Sequence, residues 1–144
     1  MDAQARRRRF GLIAIGVACI AALSIAGCET YQRTQGESQI VAGFRGRTLH
    51  AELPDAVRVP GAHYASVAAL RTRGYAIEED EVSRDSGRVV GRQARSAARD
   101  ALDRVVIRTR LTPSRVGVSI TTQPLPDEVL ARSILDDVLV RLGM

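Results

Sequence analysis

The chain has 144 residues, of which 45% are hydrophobic, 26% charged and 3% aromatic, and its formal net charge is +5. That length suits one small domain and leaves no room for two independent cores. The hydrophobic share excludes a disordered tail, and 12 glycines with 5 prolines exclude a repetitive fibre. All 21 basic residues are arginine.

The N-terminus places Arg6, Arg7, Arg8 and Arg9 before an apolar run from Phe10 through Ala26. A basic block followed by an apolar stretch and small residues is the layout of a secretory signal. The run of about 17 residues also stands at the lower edge of what spans a bilayer, so an uncleaved anchor is the rival reading. Ile25-Ala26-Gly27-Cys28 separates the two, because it resembles the lipobox of bacterial lipoproteins. The resemblance implies that the Cys28 thiol accepts a diacylglyceryl group and that a peptidase then cuts between Gly27 and Cys28. A plain cleaved signal is the remaining alternative. Arg7-Arg8-Arg9-Phe10 touches the twin-arginine export pattern, but Gly11-Leu12 fits it poorly, and ordinary secretion is the default.

Cysteine usage agrees with export. Cys19 lies inside the signal and Cys28 carries lipid, so disulfides, thiol catalysis and a cysteine-based zinc site are not expected. Residues 1–27 hold four of the arginines and one acid, which leaves 17 Arg against 15 Asp and Glu in the mature chain. A net charge of +2 gives a nucleic-acid partner no support. Burial of a lipid chain gains about 0.8 kcal/mol per methylene, so two or three chains hold such a protein firmly. By resemblance to lipoprotein sorting, Glu29 after the lipidated cysteine favours the periplasmic face of the outer membrane.

Three segments are expected: a signal peptide over 1–27, a lipidated cysteine with a flexible tether over 28–43, and a small α+β domain over 44–144. The tether is polar until Ile40, and a flexible segment of its length spans about 20 Å. A strand over 47–53 alternates Leu49, Ala51 and Leu53 against Thr48, His50 and Glu52. Pro54 ends it, and 56–59 continues as an edge segment. Pro60-Gly61 opens a helix over 62–73, with Val67, Leu70, Ala68 and Tyr64 inward and Gly74 as its stop.

Strands over 75–82 and 88–94 flank a turn at Arg84-Asp85-Ser86-Gly87. Its length is ambiguous by one residue, so the inward face of that hairpin stays open. Strands over 105–111 and 116–122 flank Thr112-Pro113-Ser114-Arg115. A four-residue loop there pairs Leu111 with Val116, Thr109 with Val118 and Ile107 with Ile120. The last helix runs over 126–142 from Pro126, with Leu130, Ile134, Leu135, Val138, Leu139 and Leu142 inward and Arg132, Asp136, Asp137 and Arg141 outward. The expected fold is a two-layer α+β sandwich in the order β-α-β-β-β-β-α. It has one mainly antiparallel sheet of four to five strands with two helices on one face.

From Tyr64 to Gly143 the chain resembles short bacterial lipoproteins of uncharacterised function, which join a lipobox to one small α/β domain. The likeness rests on Ala68-Ala69-Leu70-Arg71-Thr72-Arg73-Gly74-Tyr75, on Ser86-Gly87-Arg88-Val89-Val90-Gly91-Arg92, on Val116-Gly117-Val118-Ser119-Ile120 and on Ile134-Leu135-Asp136. Residues 95–103 are longer than the turn such a hairpin needs. The resemblance implies no activity.

No catalytic constellation stands out. Glu78-Glu79-Asp80-Glu81 is the densest acidic run, yet alternation along a strand lets only alternate carboxylates converge, which favours a solvated strand end paired with arginine over a cation site. His50 and His63 have no third ligand at metal spacing and read as surface or boundary residues. Ser66 and Ser133 lack the Gly-x-Ser-x-Gly setting, and no glycine-rich phosphate loop is present. Neither enzyme activity nor a cofactor or metal is expected. The candidate anion-binding set is Arg88, Arg92, Arg108, Arg110 and Arg115, whose planar forks suit carboxylates and phosphates. The bland alternative for these arginines is a solvated face balanced by Glu78, Asp80 and Asp103. The leading expectation is a membrane-anchored accessory or structural subunit that docks on an envelope protein. The alternative is a binding module for anionic envelope lipid or glycan.

Overall fold

A computed structural model describes residues 31–93 and 103–144. Its elements in chain order are β1 (Tyr31–Gln35), β2 (Ile40–Arg45), β3 (Thr48–Leu53), α1 (Val59–Thr72), β4 (Tyr75–Val82), β5 (Ser86–Gln93), β6 (Arg104–Leu111), β7 (Val116–Gln123) and α2 (Glu128–Arg141). The seven strands form one antiparallel sheet in the order β1-β2-β3-β7-β6-β5-β4. The chain thus lays down a three-strand meander and crosses over through α1. A four-strand meander then returns and inserts β7 beside β3. The architecture is α+β, with both helices packed on one face of the sheet.

Two strands more than the sequence predicts come from its N-terminal part. Residues expected as tether form β1 and β2 from Tyr31 onward, and residues 1–30 lie outside the described part. The correction has a packing cause. Gln35, Ile40 and Ala42 are buried, and α2 covers them. β1 itself is polar and four of its five side chains are exposed, so it carries no apolar period to read. The helix supplies what β1 lacks. Arg132, placed on the polar side of α2 by its sequence, is only 9% exposed. It donates to the Tyr31 carbonyl at 3.0 Å, to the Ala42 carbonyl at 3.3 Å and to Gln35 Oε1 at 3.3 Å, while Glu128 accepts from its Nε at 2.8 Å. A buried arginine with every side satisfied is tolerated where an unpaired one is not.

The inner face is built from the alternation of β3, β6 and β7. Leu49 faces Ile120 and Leu53 faces Val116 across β3 and β7, and Ile107 faces Ile120 across β6 and β7. All five side chains are essentially inaccessible. Each such burial is worth about 1.5–3 kcal/mol, and together they fix which face is inside. The predicted register of the β6–β7 hairpin, with Leu111 on Val116, Thr109 on Val118 and Ile107 on Ile120, is the one found. Its loop closes as Thr112 N donates to the Arg115 carbonyl at 2.7 Å.

α1 begins at Val59, so residues 56–59 do not form the expected edge strand. The buried stripe runs Val59, His63, Val67 and Leu70, which share one side of a helix at spacings of four, four and three, and Ala68 and Tyr64, one position on from Val67 and His63, point outward instead of inward. Gly74 adopts a positive φ of 81° just past the Arg73 cap, the conformation a helix stop wants. In α2 the cap is Asp127, whose side chain accepts from Leu130 N at 2.9 Å, and Pro126 precedes it rather than opening the helix.

Candidate functional site

The face of the sheet away from the helices is open, and its rows follow from the register. One row runs Gly43, His50, Ser119, Arg108, Arg88 and Glu81 from β2 to β4. The next runs Glu52, Gly117, Arg110 and Ser86, with Glu52 facing Gly117 across β3 and β7. Because Gly43 and Gly117 carry no side chain and Ser119 a short one, the middle of this face is low. The flanking side chains enclose an open concavity of about 1520 Å³.

Of the five predicted arginines, four lie on this outer face and differ in their company. Arg88 Nε sits 2.8 Å from Glu79, and Arg92 Nε sits 2.5 Å from Glu78. Arg104, which the sequence reading did not single out, shares Glu78 at 3.2 Å. Arg108 and Arg110 are exposed and have no carboxylate partner among the described residues. Arg108 lies directly opposite Arg88, a like-charge pair that works against the sheet unless counter-charge is near. Arg115 stands apart on the β6–β7 loop, paired with Asp55 at 3.2 Å. The five therefore do not form one cluster. Two are free forks at the edge of the concavity, two belong to ion-paired ladders, and one guards a loop.

The acidic run is distributed by a β-bulge between Ile77 and Glu79. The extra residue breaks strict alternation, so Glu78 and Glu79 both turn to the outer face and meet Arg92, Arg104 and Arg88. Asp80 falls on the helix side, where its Oδ1 lies 2.7 Å from His63 Nε2. Alternation alone does not reveal this split. Beneath the ladders, Val90 and Val106 face each other and are buried on the nominally polar face, in keeping with the way arginine stems cover apolar surface.

The histidines part ways. His50 is exposed on the outer face beside Ser119, whereas His63 is 1% exposed, which corrects its reading as a surface or boundary residue. It occupies a core-facing position of α1 because β5 offers Gly87 there. A Cβ at Gly87 would lie 2.7 Å from His63 Nδ1 and 2.6 Å from Thr109 Oγ1. Those two atoms have no hydrogen-bond partner among the described residues. A buried histidine, carboxylate and hydroxyl in one neighbourhood invite a catalytic reading, but burial of His63 and Thr109 keeps a substrate from them. Their evident role is packing.

Ser66 is buried and donates to the Ala62 carbonyl at 2.7 Å, and Ser133 Oγ accepts from Arg73 at 2.5 Å, so both serve helix packing. Among the described residues no three His, Cys, Asp or Glu side chains gather as metal ligands. No described helix is long and apolar enough to cross a membrane. Burial pushes the Tyr75 phenol up against the opposing pull of Arg73. The Tyr31 hydroxyl, accepting from Arg33, raises that guanidinium. Gly27 and Cys28 lie outside the described residues. Alternation in the sequence places His50 on this polar side and does not single out Gly43, Gly117 and Arg104. Gly43 is hidden because its segment carries no alternation that marks 40–45 as a strand. No family model matches the chain, and no curated protein matches it.

Proposed function

We propose that this is a lipid-anchored envelope protein, held through Cys28, whose domain is a non-enzymatic docking module with the outer sheet face as its binding surface. The observation that carries the reading is the pairing pattern of that face. Arg88, Arg92 and Arg104 are neutralised locally, while Arg108 and Arg110 have no carboxylate partner among the described residues and stand beside a glycine-floored concavity. Two guanidinium forks two residues apart on one face suit carboxylates of a protein partner, for which charge-assisted bonds are short and strong. The partner is an acidic envelope protein, and the chain acts as an accessory or structural subunit.

The same forks support a second reading, an anionic envelope lipid or glycan bound through phosphate or carboxylate. Affinity purification of the full-length lipoprotein distinguishes the two. A protein partner in stoichiometric yield, lost from the Arg108→Ala, Arg110→Ala double variant and at high salt, is the expected result. Retention by anionic lipid or glycan alone, with the same dependence, selects the second reading. Indifference to both arginines and to salt contradicts both. The anchor is tested separately. A Cys28→Ala protein that has lost its signal leaves the membrane fraction, and one that stays there contradicts lipid anchoring.

A further inference from the structure

Resting on the lipid anchor just proposed, a second surface follows from where the chain leaves the domain. Only Glu29 and Thr30 separate Cys28 from Tyr31, the first residue of β1. Three Cα steps reach at most about 11 Å, so an anchor at Cys28 holds the start of β1 against the lipid surface. The end of the sheet beside Tyr31 is defined by the register. β2 ends there at Arg45, β3 starts there at Thr48, and β7 ends there at Gln123.

Two of the most exposed large apolar side chains of the described residues lie at this end, Val129 at 80% and Leu125 at 76%, and Tyr31 stands at the same end on the edge strand at 55%. They belong to one structured corner. Arg47 bonds the Pro124 carbonyl, Thr122 Oγ1 donates to the Leu125 carbonyl at 3.0 Å, and Arg132 ties the first turn of α2 to Tyr31. Three exposed arginines, Arg33, Arg45 and Arg47, flank the corner. Of the acids at this end, Asp127 caps α2, Glu128 pairs with Arg132, and Asp103 precedes Arg104 in a half-buried position. Exposed aliphatic and tyrosine side chains rimmed by uncompensated arginine are the composition that suits the headgroup region of an anionic bilayer.

We infer that the corner formed by Tyr31, Arg45, Arg47, Leu125 and Val129 rests in the lipid headgroups. The domain then stands on the membrane end-on, with the plane of the sheet parallel to the bilayer normal and the outer face opening sideways. The occupant of this corner is the membrane itself, by continuity with the anchor.

The test uses the full-length lipoprotein, purified with its lipid and reconstituted in phosphatidylethanolamine–phosphatidylglycerol vesicles. Single spin labels go on Leu125→Cys and on Val129→Cys. Leu111→Cys serves as control, at the far end of β6 and β7, about 23 Å away along an eight-residue strand. Collision with lipid-soluble oxygen, relative to an aqueous nickel chelate, is expected to be several-fold greater at 125 and 129 than at 111. The intact mass of the same sample reports lipid on Cys28. Lipidated protein with equal accessibility at all three positions overturns the inference and leaves the anchor standing. A mature mass without lipid overturns the anchor and the inference with it.

Discussion

The two faces of the sheet are made by the same strands and follow opposite rules. On the inner face every central position of β3, β6 and β7 is aliphatic or a buried threonine, and two helices exclude water from it. On the outer face the same strands present His50, Glu52, Arg108, Arg110 and Ser119, with glycine where bulk would fill the floor. Stability is concentrated on one side, so the other is free to vary for recognition. The difference teaches where to look for function in a chain that has no catalytic constellation among its described residues. It is the side whose charges are left incompletely paired.

The comparison breaks if substitutions of the exposed outer-face side chains unfold the protein or inner-face ones do not. The largest effect is expected from Ile120→Ala, which empties the contact between β3 and β6. It should cost about 2–5 kcal/mol of unfolding free energy in a denaturant titration. Arg132→Met comes next. It strands the Tyr31 and Ala42 carbonyls and should cost about 1.5–3 kcal/mol, with faster amide exchange confined to β1 and β2. Gly87→Ala forces a methyl onto His63 and Thr109 and should cost about 1–3 kcal/mol in thermal melts.

The Arg108→Ala, Arg110→Ala double variant should move stability by no more than about 0.5 kcal/mol per site, because both side chains are exposed and unpaired. The smallest effect concerns pH. Burial raises the Tyr75 phenol, so its neutral form stabilises the fold. That contribution is complete below the ordinary tyrosine value of about 10 and is lost as pH rises through the raised native value. No lysine titrates in the same range. Tyr75→Phe should therefore flatten the alkaline limb of the stability curve and leave the neutral region nearly unchanged.

Much of the inner face was legible because its signals are local. Alternation in β3 and β7, the Pro113 turn and the Gly74 stop each specify their own neighbourhood, and they agree on one register. The N-terminal hairpin was not legible. β1 is polar, and its place in the sheet depends on Arg132, which lies 101 residues from Tyr31. A long-range bond of that kind leaves no period in the sequence. The bulge at Glu78 was hidden for a related reason, since alternation predicts an unbroken strand and says nothing of an inserted residue. On the outer face the arginine positions were readable, but their pairing was not. Which fork is free depends on where Glu78 and Glu79 fall after the bulge.

The central claim is that the outer face, around Arg108 and Arg110, is where a partner binds. A photo-reactive residue placed at Ser119 in the full-length lipoprotein tests it most directly in cells, with Tyr64 on the exposed side of α1 as the control position. The account predicts one dominant acidic protein crosslinked from Ser119 and not from Tyr64, and loss of that product when Arg108 and Arg110 are both alanine. Equal capture from the two positions, or capture that survives the loss of both arginines, would contradict it.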